Sequence, residues 1–160
     1  GSLTLGSLIV EPFSVSHDAA DPIGINVFAG NNKATIVTDT GVISDDILRR
    51  IDDTTLLVLE ANYDPHMLRF GPYQPFLKQR VASDEGHLSN EMAAQALLMM
   101  KRPDFMQVIL AHRSENNNNS VLVTQTIGKM LVDGGVRIGP EMKLQHGQPN
   151  EIVSIQSVKR

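Results

Sequence analysis

The chain has 160 residues, with 14 Lys+Arg against 18 Asp+Glu, 41% hydrophobic residues and no Cys. The lack of Cys excludes a disulfide scaffold, thiolate zinc sites and cysteine catalysis, so any metal must be held by His, Asp or Glu. A formal net charge of −4 argues against a generic nucleic-acid coat, and apolar runs such as Thr54–Ala61 are far too short to span a bilayer. No signal-peptide pattern opens the chain. The expectation is a cytoplasmic protein with no membrane association, forming one domain or part of a larger one.

In chain order, Leu3–Val15 predicts two short strands around Gly6-Ser7, the second placing Phe13, Val15 and His17 on one face. Asp18–Gly24 is a loop, and Ile25–Phe28 and Ala34–Val37 flank a hairpin turn at Ala29-Gly30-Asn31-Asn32. Ser44 is suited to cap a helix over Asp45–Ile51, with acidic residues in its first turn. Thr55–Glu60 is a continuous apolar strand of the kind buried on both faces. Pro65, Gly71-Pro72 and Pro75 punctuate an irregular middle, with a short helix over Phe76–Val81.

Ser89 or Asn90 caps a strong helix over Glu91–Met100, ended by Pro103, and Gln107–Ala111 is another buried-type strand. Asn116–Asn119 reads as a polar loop, Ser120–Asp133 as a helix stopped by Gly134-Gly135, and Glu151–Val158 as a closing strand. A β-rich opening followed by β-α-β-α-β-α-β predicts a layered α/β arrangement with helices covering the sheet.

Several ionisable residues fall where apolar strands end. Val15 leads to His17-Asp18, Val37 to Asp39, Leu59 to Glu60 and Asn62, and Ala111 to His112. Ligands of α/β sheets bind beyond the carboxyl ends of strands, so four such ends point to one site. His and Asp suit zinc, manganese or iron. Taken singly, a His or Asp after a strand is more often a loop residue or helix cap than a ligand.

Gly86-His87-Leu88-Ser89-Asn90 opens a helix, where free N–H groups and the dipole favour an anion. Two readings stand side by side. His87 with the Ser89 and Asn90 donors grips a phosphate and supplies a proton, or the segment is an N-cap with Leu88 as hydrophobic staple. The second accounts for Leu88 and Ser89 but not for His87.

Elsewhere, His66 and His146 lie in polar, turn-like stretches and are expected to be exposed. Met92, Leu97, Leu98, Met99 and Met100 read as a helix core face. Arg69, Lys78 and Arg80 fit either a phosphate path or, more commonly, a solvated face. Neither a Gly-rich phosphate loop nor Gly-x-Ser-x-Gly occurs.

These motifs together resemble a known family. Val15-Ser16-His17-Asp18-Ala19-Ala20-Asp21-Pro22, Thr38-Asp39-Thr40-Gly41 and Leu59-Glu60-Ala61-Asn62-Tyr63-Asp64 are similar to segments of the metallo-β-lactamase-fold hydrolases of the YycJ (WalJ) type. So are Met67-Leu68, Gly71-Pro72-Tyr73, Leu77-Lys78-Gln79-Arg80, Gly86–Asn90 and Ala111-His112-Arg113-Ser114-Glu115-Asn116-Asn117, in the same order.

The resemblance implies the C-terminal half of an αββα sandwich, a mixed sheet flanked by helices. It implies His17, Asp39 and His112 as metal ligands, with Asp39 bridging two divalent cations, zinc or manganese. His87 corresponds to the residue that contacts the scissile phosphate, which makes His87 and Asp39 the implied catalytic residues. Glu60, Asn62, Ser89 and Asn90 join His87 on the substrate side. The implied reaction is attack of a two-metal-activated water on a phosphodiester, most simply by a DNA exonuclease. Alternatives are a phosphodiesterase for RNA ends or small cyclic phosphodiesters, or a non-catalytic binding or assembly module with an incomplete metal site.

The family's His-x-His-x-Asp-His string does not occur in these 160 residues, and Tyr63 stands where many relatives have His. Each cation is left with two protein ligands, where catalytic zinc usually has three. Residues 1–160 are therefore expected to be a partial domain, inactive alone and doubtful in metal occupancy. Half a sandwich would also expose the sheet face that the other half covers, so homo-oligomerisation through that face is expected.

Overall fold

The computed structural model describes residues 1–155. Among them seven strands form one sheet in the order of the chain: β1 (Leu3–Leu5), β2 (Leu8–Ser14), β3 (Ile23–Ala29), β4 (Asn32–Val37), β5 (Leu56–Glu60), β6 (Met106–Ala111) and β7 (Met142–His146). β1 to β4 pair antiparallel through tight turns, with Gly6 and Gly30 at φ 60° and 58° where an L side chain would be strained. β4 to β7 pair in parallel, which requires crossovers.

These crossovers carry the helices: α1 (Asp45–Ile51) between β4 and β5, then α2 (Pro65–Phe70), α3 (Pro75–Val81) and α4 (Asn90–Met99) before β6, and α5 (Ser120–Asp133) before β7. Strand order never reverses, and parallel crossovers are almost always right-handed, so the successive connections return on the same side of the sheet.

The core lies between that side and the helices. Leu57 and Leu59 of β5 and Val108 and Leu110 of β6 are buried in one cluster with Ile47 and Ile51 of α1, Leu97 of α4, and Val123, Ile127 and Leu131 of α5. The last three recur every four residues and so form one helical stripe, each contributing roughly 1.5–3 kcal/mol on burial. β2 joins this core through Phe13, whose ring lies where a Cβ on Gly24 would approach to 2.5 Å. On the opposite face, register aligns Ile25, Ile36, Val58 and Ile109 in one apolar row. Ile36 remains 42% exposed there.

Most expected elements are present, several with the expected boundaries. α1 has Ser44 as its cap, its side chain accepting from Ile47 N at 3.3 Å, and α5 spans Ser120–Asp133. Four expectations are corrected. The irregular middle holds a further helix, α2, which Asp64 caps and Pro65 opens.

The closing strand is Met142–His146 and not Glu151–Val158. Residues 151–155 are not in a strand, and 156–158 lie outside the described residues. The sequence Met-Lys-Leu-Gln-His buries only Met142 fully, which leaves little hydrophobic pattern to read. His146 lies on that strand and is half-buried, not exposed. Met99, expected on the core face of α4, is 68% exposed because it falls on the outer side of the last turn, whereas Leu97 and Met100 are buried. No helix among the described residues is long and apolar enough to cross a membrane.

Candidate active site

β2 is antiparallel to β3, and β3 to β4, so β2 runs in the direction of β4, β5 and β6. The carboxyl ends of all four therefore meet at one edge of the sheet, and they bring His17, Asp39, Glu60 and His112 there. The loop before α4 adds His87. Ring centroids of His87 lie 5.0 Å from His17 and 5.2 Å from His112.

Glu60 organises the cluster. It is fully buried, and its Oε1 lies 2.7 Å from Nδ1 of both His87 and His112. Its Oε2 accepts from Thr40 N at 3.2 Å and Leu88 N at 3.4 Å. A carboxylate can only accept, so both Nδ1 atoms donate and neither Nε2 atom is used by Glu60; that of His112 stands beside Asp39. Burial works to raise the pKa of Glu60, but hydrogen bonds from His112 and His87 and the His87 charge outweigh it and hold the carboxyl below its usual range. The hydrogen bond to Glu60 in turn raises the pKa of His112 against its partial burial, with the Glu60 and Asp39 charges adding to the rise.

His17 is oriented in the same way by a backbone acceptor. Its Nδ1 donates to Gly86 O at 2.9 Å, leaving Nε2 3.7 Å from Asp39 Oδ1. His112 Nε2 stands 3.7 Å from the same oxygen. The neighbouring Asp18 is engaged by Arg80, which is the main reason its pKa is lowered. Two donors sharing one zinc at about 2.0–2.2 Å each stand at most about 4.4 Å apart, so each 3.7 Å spacing would suit a pair of donors to one divalent cation.

Asp39, Glu60, His87 and His112 also offer ligand atoms that all lie within 4.8 Å of one another. The Glu60 oxygens are already taken by four donors, however, so Glu60 orients ligands instead of serving as one. The donor set of two imidazoles and one carboxylate fits a hard-to-borderline divalent metal.

The other expected site residues are built into the frame. Asn62 is buried and donates to His112 O at 2.8 Å. Ser89 is buried and caps α4, accepting from Met92 N at 3.1 Å. Asn90 is fully buried and exchanges two amide hydrogen bonds with Asn118, at 3.1 and 2.8 Å. Asn118 also donates to Ala61 O at 3.1 Å, so the Asn run ties the loop after β6 to the end of β5. Of the Gly86–Asn90 segment, His87 alone has a part-exposed polar side chain facing the site, at 20%.

Tyr63 is buried against Leu68 and Val81, and burial, then Glu91 and Glu60, push its phenol pKa up. Two glycines of the quoted motifs, Gly41 and Gly86, allow the loops to meet. A Cβ on Gly41 would collide with the Ser83 backbone, and one on Gly86 with the Arg80 and Val81 carbonyls.

No family model matches the chain. Over 155 residues it is 36% identical to an exodeoxyribonuclease YycJ of Bacillus anthracis, a match covering 97% of this chain and 59% of that protein. Over 147 residues it is 33% identical to an exodeoxyribonuclease WalJ of Streptococcus pneumoniae, covering 92% of this chain and 55% of that protein. The chain thus spans little more than half the length of these curated relatives.

Among solved structures, the metallo-β-lactamase fold protein YhfI of Bacillus subtilis matches with a TM-score of 0.60 over 90% of this chain and 49% of that one, at 14% identity. Zinc-bound PqqB of Methylobacterium extorquens matches with a TM-score of 0.57 over 91% of this chain and 47% of that one, at 17% identity. Over the part it spans the chain therefore shares the metallo-β-lactamase fold, and over nearly all of its own length it is similar in sequence to the YycJ and WalJ exodeoxyribonucleases.

Proposed function

We propose that the chain contributes one side of a divalent-metal phosphodiesterase centre that acts on DNA as an exonuclease. The observation that carries this reading is the shared Glu60 Oε1, which holds the Nδ1 atoms of His87 and His112 at 2.7 Å each and leaves both Nε2 atoms unused by it. One imidazole then stands beside Asp39 as a ligand, and the other is left over for substrate. The exodeoxyribonuclease names of the relatives supply the substrate class.

His17, Asp39 and His112 would hold two divalent cations, zinc or manganese. When bound, such ions lower the pKa of a water and offset the charge of the phosphoryl oxygens. His87, protonated at Nε2, donates to a phosphoryl or leaving oxygen, and the Glu60 carboxylate at Nδ1 stabilises the imidazolium. Asn62 steadies the backbone of His112, and Ser89 and Asn90 fix the start of α4 and with it the position of His87.

This chain offers each cation two ligands, and we propose that residues outside these 160 complete the set. RNA ends and small cyclic phosphodiesters present the same phosphate chemistry and are the competing substrates. A non-catalytic assembly module is the competing class. The apolar row of Ile25, Ile36, Val58 and Ile109, half-buried apart from the exposed Ile36, supports a second proposal, that this face is covered by a further layer or a second copy; light scattering of the isolated chain tests it. Activity is tested on a protein that includes this chain and its upstream region, with Mn²⁺ or Zn²⁺ and end-labelled DNA. Metal-dependent shortening that is lost in His112→Ala and Asp39→Ala is the expected result; rates that survive both substitutions would sink the assignment.

A further inference from the structure

Arg113 follows His112 at the end of β6, and the architecture described above gives it no role. Its Nη1 is buried and has no hydrogen-bond partner among the described residues, although a guanidinium carries five donors in a rigid fork. The other cations nearby are engaged. Arg80 pairs with Asp18, and Lys78 Nζ donates to Arg69 O at 2.8 Å.

Two clefts open beside the site, and Arg113 lines both. The smaller, about 360 Å³, contains His87, His112 and Tyr73. The larger, about 780 Å³, runs on past Arg113 to Asn119, Ser120 and Gln148 beside the start of α5. His112, Arg113 and Glu115 form their common wall. Glu115 is exposed, so water screens its charge, whereas Arg113 is half-buried and acts over a longer effective range. Its charge adds to burial, the larger cause, in holding His146 on β7 below the usual imidazole range.

A guanidinium on the wall shared by both clefts, next in sequence to His112, suits a second phosphate of the same strand. We propose that Arg113 binds the phosphate next to the scissile one, so that the substrate strand passes from the His87–His112 cleft across Arg113 into the larger cleft beside α5. This rests on the phosphodiesterase reading and narrows it. A polynucleotide fills both clefts, whereas a small cyclic phosphodiester leaves the larger one unused.

The test is fluorescence anisotropy of a short labelled oligothymidylate in the presence of chelator, titrated with salt, for the full chain and its Arg113→Ala and Arg113→Lys variants. Arg113→Ala is expected to weaken binding by about 10- to 100-fold, as for loss of a hydrogen bond to a charged group, and to flatten the salt slope by about 0.7. Arg113→Lys should restore the slope and part of the affinity. Wild-type chain that binds while Arg113→Ala binds equally well overturns this inference and leaves the wider reading standing. Equal weakening in both variants, with a lowered melting temperature, makes Arg113 structural and also overturns it. Wild-type chain that binds no oligonucleotide overturns both.

Discussion

Asp39 and His112 stand at the ends of two strands in left-handed backbone, with φ 56° and 52°, and their Oδ1 and Nε2 atoms are 3.7 Å apart. Both residues lie in a region that few non-glycine residues adopt, and such outliers gather at functional sites, where the strain sets a side chain's direction. Here the turn out of the strand is what points each donor across the sheet edge at the other.

The strain at position 39 can be separated from the carboxylate. Alanine at this φ costs about 1–2 kcal/mol, and glycine avoids that cost. Asp39→Gly is expected to unfold in urea close to wild type while Asp39→Ala unfolds earlier. Calorimetry should show both losing metal binding to the same extent, because both lack the ligand.

Glu60 can be altered without changing its shape. Glu60→Gln keeps the volume but removes the buried charge that both imidazoles face. NMR titration should show the raised pKa of His112 moving down, since the Glu60 hydrogen bond is the main cause of the rise. Loss of an orienting partner typically lowers metal affinity by about 10- to 100-fold, and zinc or manganese titration checks that figure.

The two shifts give the metal-free protein a defined pH profile. His112 is raised in the folded state, so its contribution to stability is complete below the ordinary imidazole value of 6.5 and is lost as pH rises through the higher folded value. Glu60 is lowered, so its contribution is complete above the ordinary 4.5 and is lost as pH falls through the lower folded value. Urea unfolding in chelator should therefore show the contribution of this pair at its greatest between about pH 4.5 and 6.5. Metal affinity should run the other way, falling as pH drops below the raised pKa of His112, because protons compete for Nε2.

Asn118 tests the frame without touching a ligand. Asn118→Ala leaves Asn90 and Ala61 O without their partner in a buried setting, at a cost of about 1–3 kcal/mol. For a domain of this size that corresponds to a fall in Tm of about 2–4 °C per kcal/mol, readable by circular dichroism. A melting temperature equal to wild type would show that the Asn run is a mere surface loop.

Local features of the fold were legible in the chain itself. Ser44 before Asp45-Asp46 signals α1, and the four-residue recurrence of Val123, Ile127 and Leu131 signals α5, because caps and helical stripes are set by neighbours in sequence. β7 and α2 were not, since a five-residue strand with one fully buried side chain and a six-residue helix among prolines carry too little pattern. The candidate ligands were visible as ionisable residues at strand ends, yet nothing local separates Asp39 from any other turn aspartate.

What decides their roles is register. Parallel pairing sets Glu60 beside Ala111, which puts the next residue, His112, within reach of a carboxylate 52 positions away, while the loop before α4 brings His87 to the same oxygen across 27. The sequence by itself determined which residue types were available at the strand ends and that no thiolate ligand exists. Only the tertiary structure decided that Glu60 bonds two imidazoles, that Ser89, Asn90 and Asn62 are tied into the frame, and that His87, His112 and Arg113 line one cleft. Hydrogen-bond partners at such separations are chosen by packing, and packing is a property of the whole sheet.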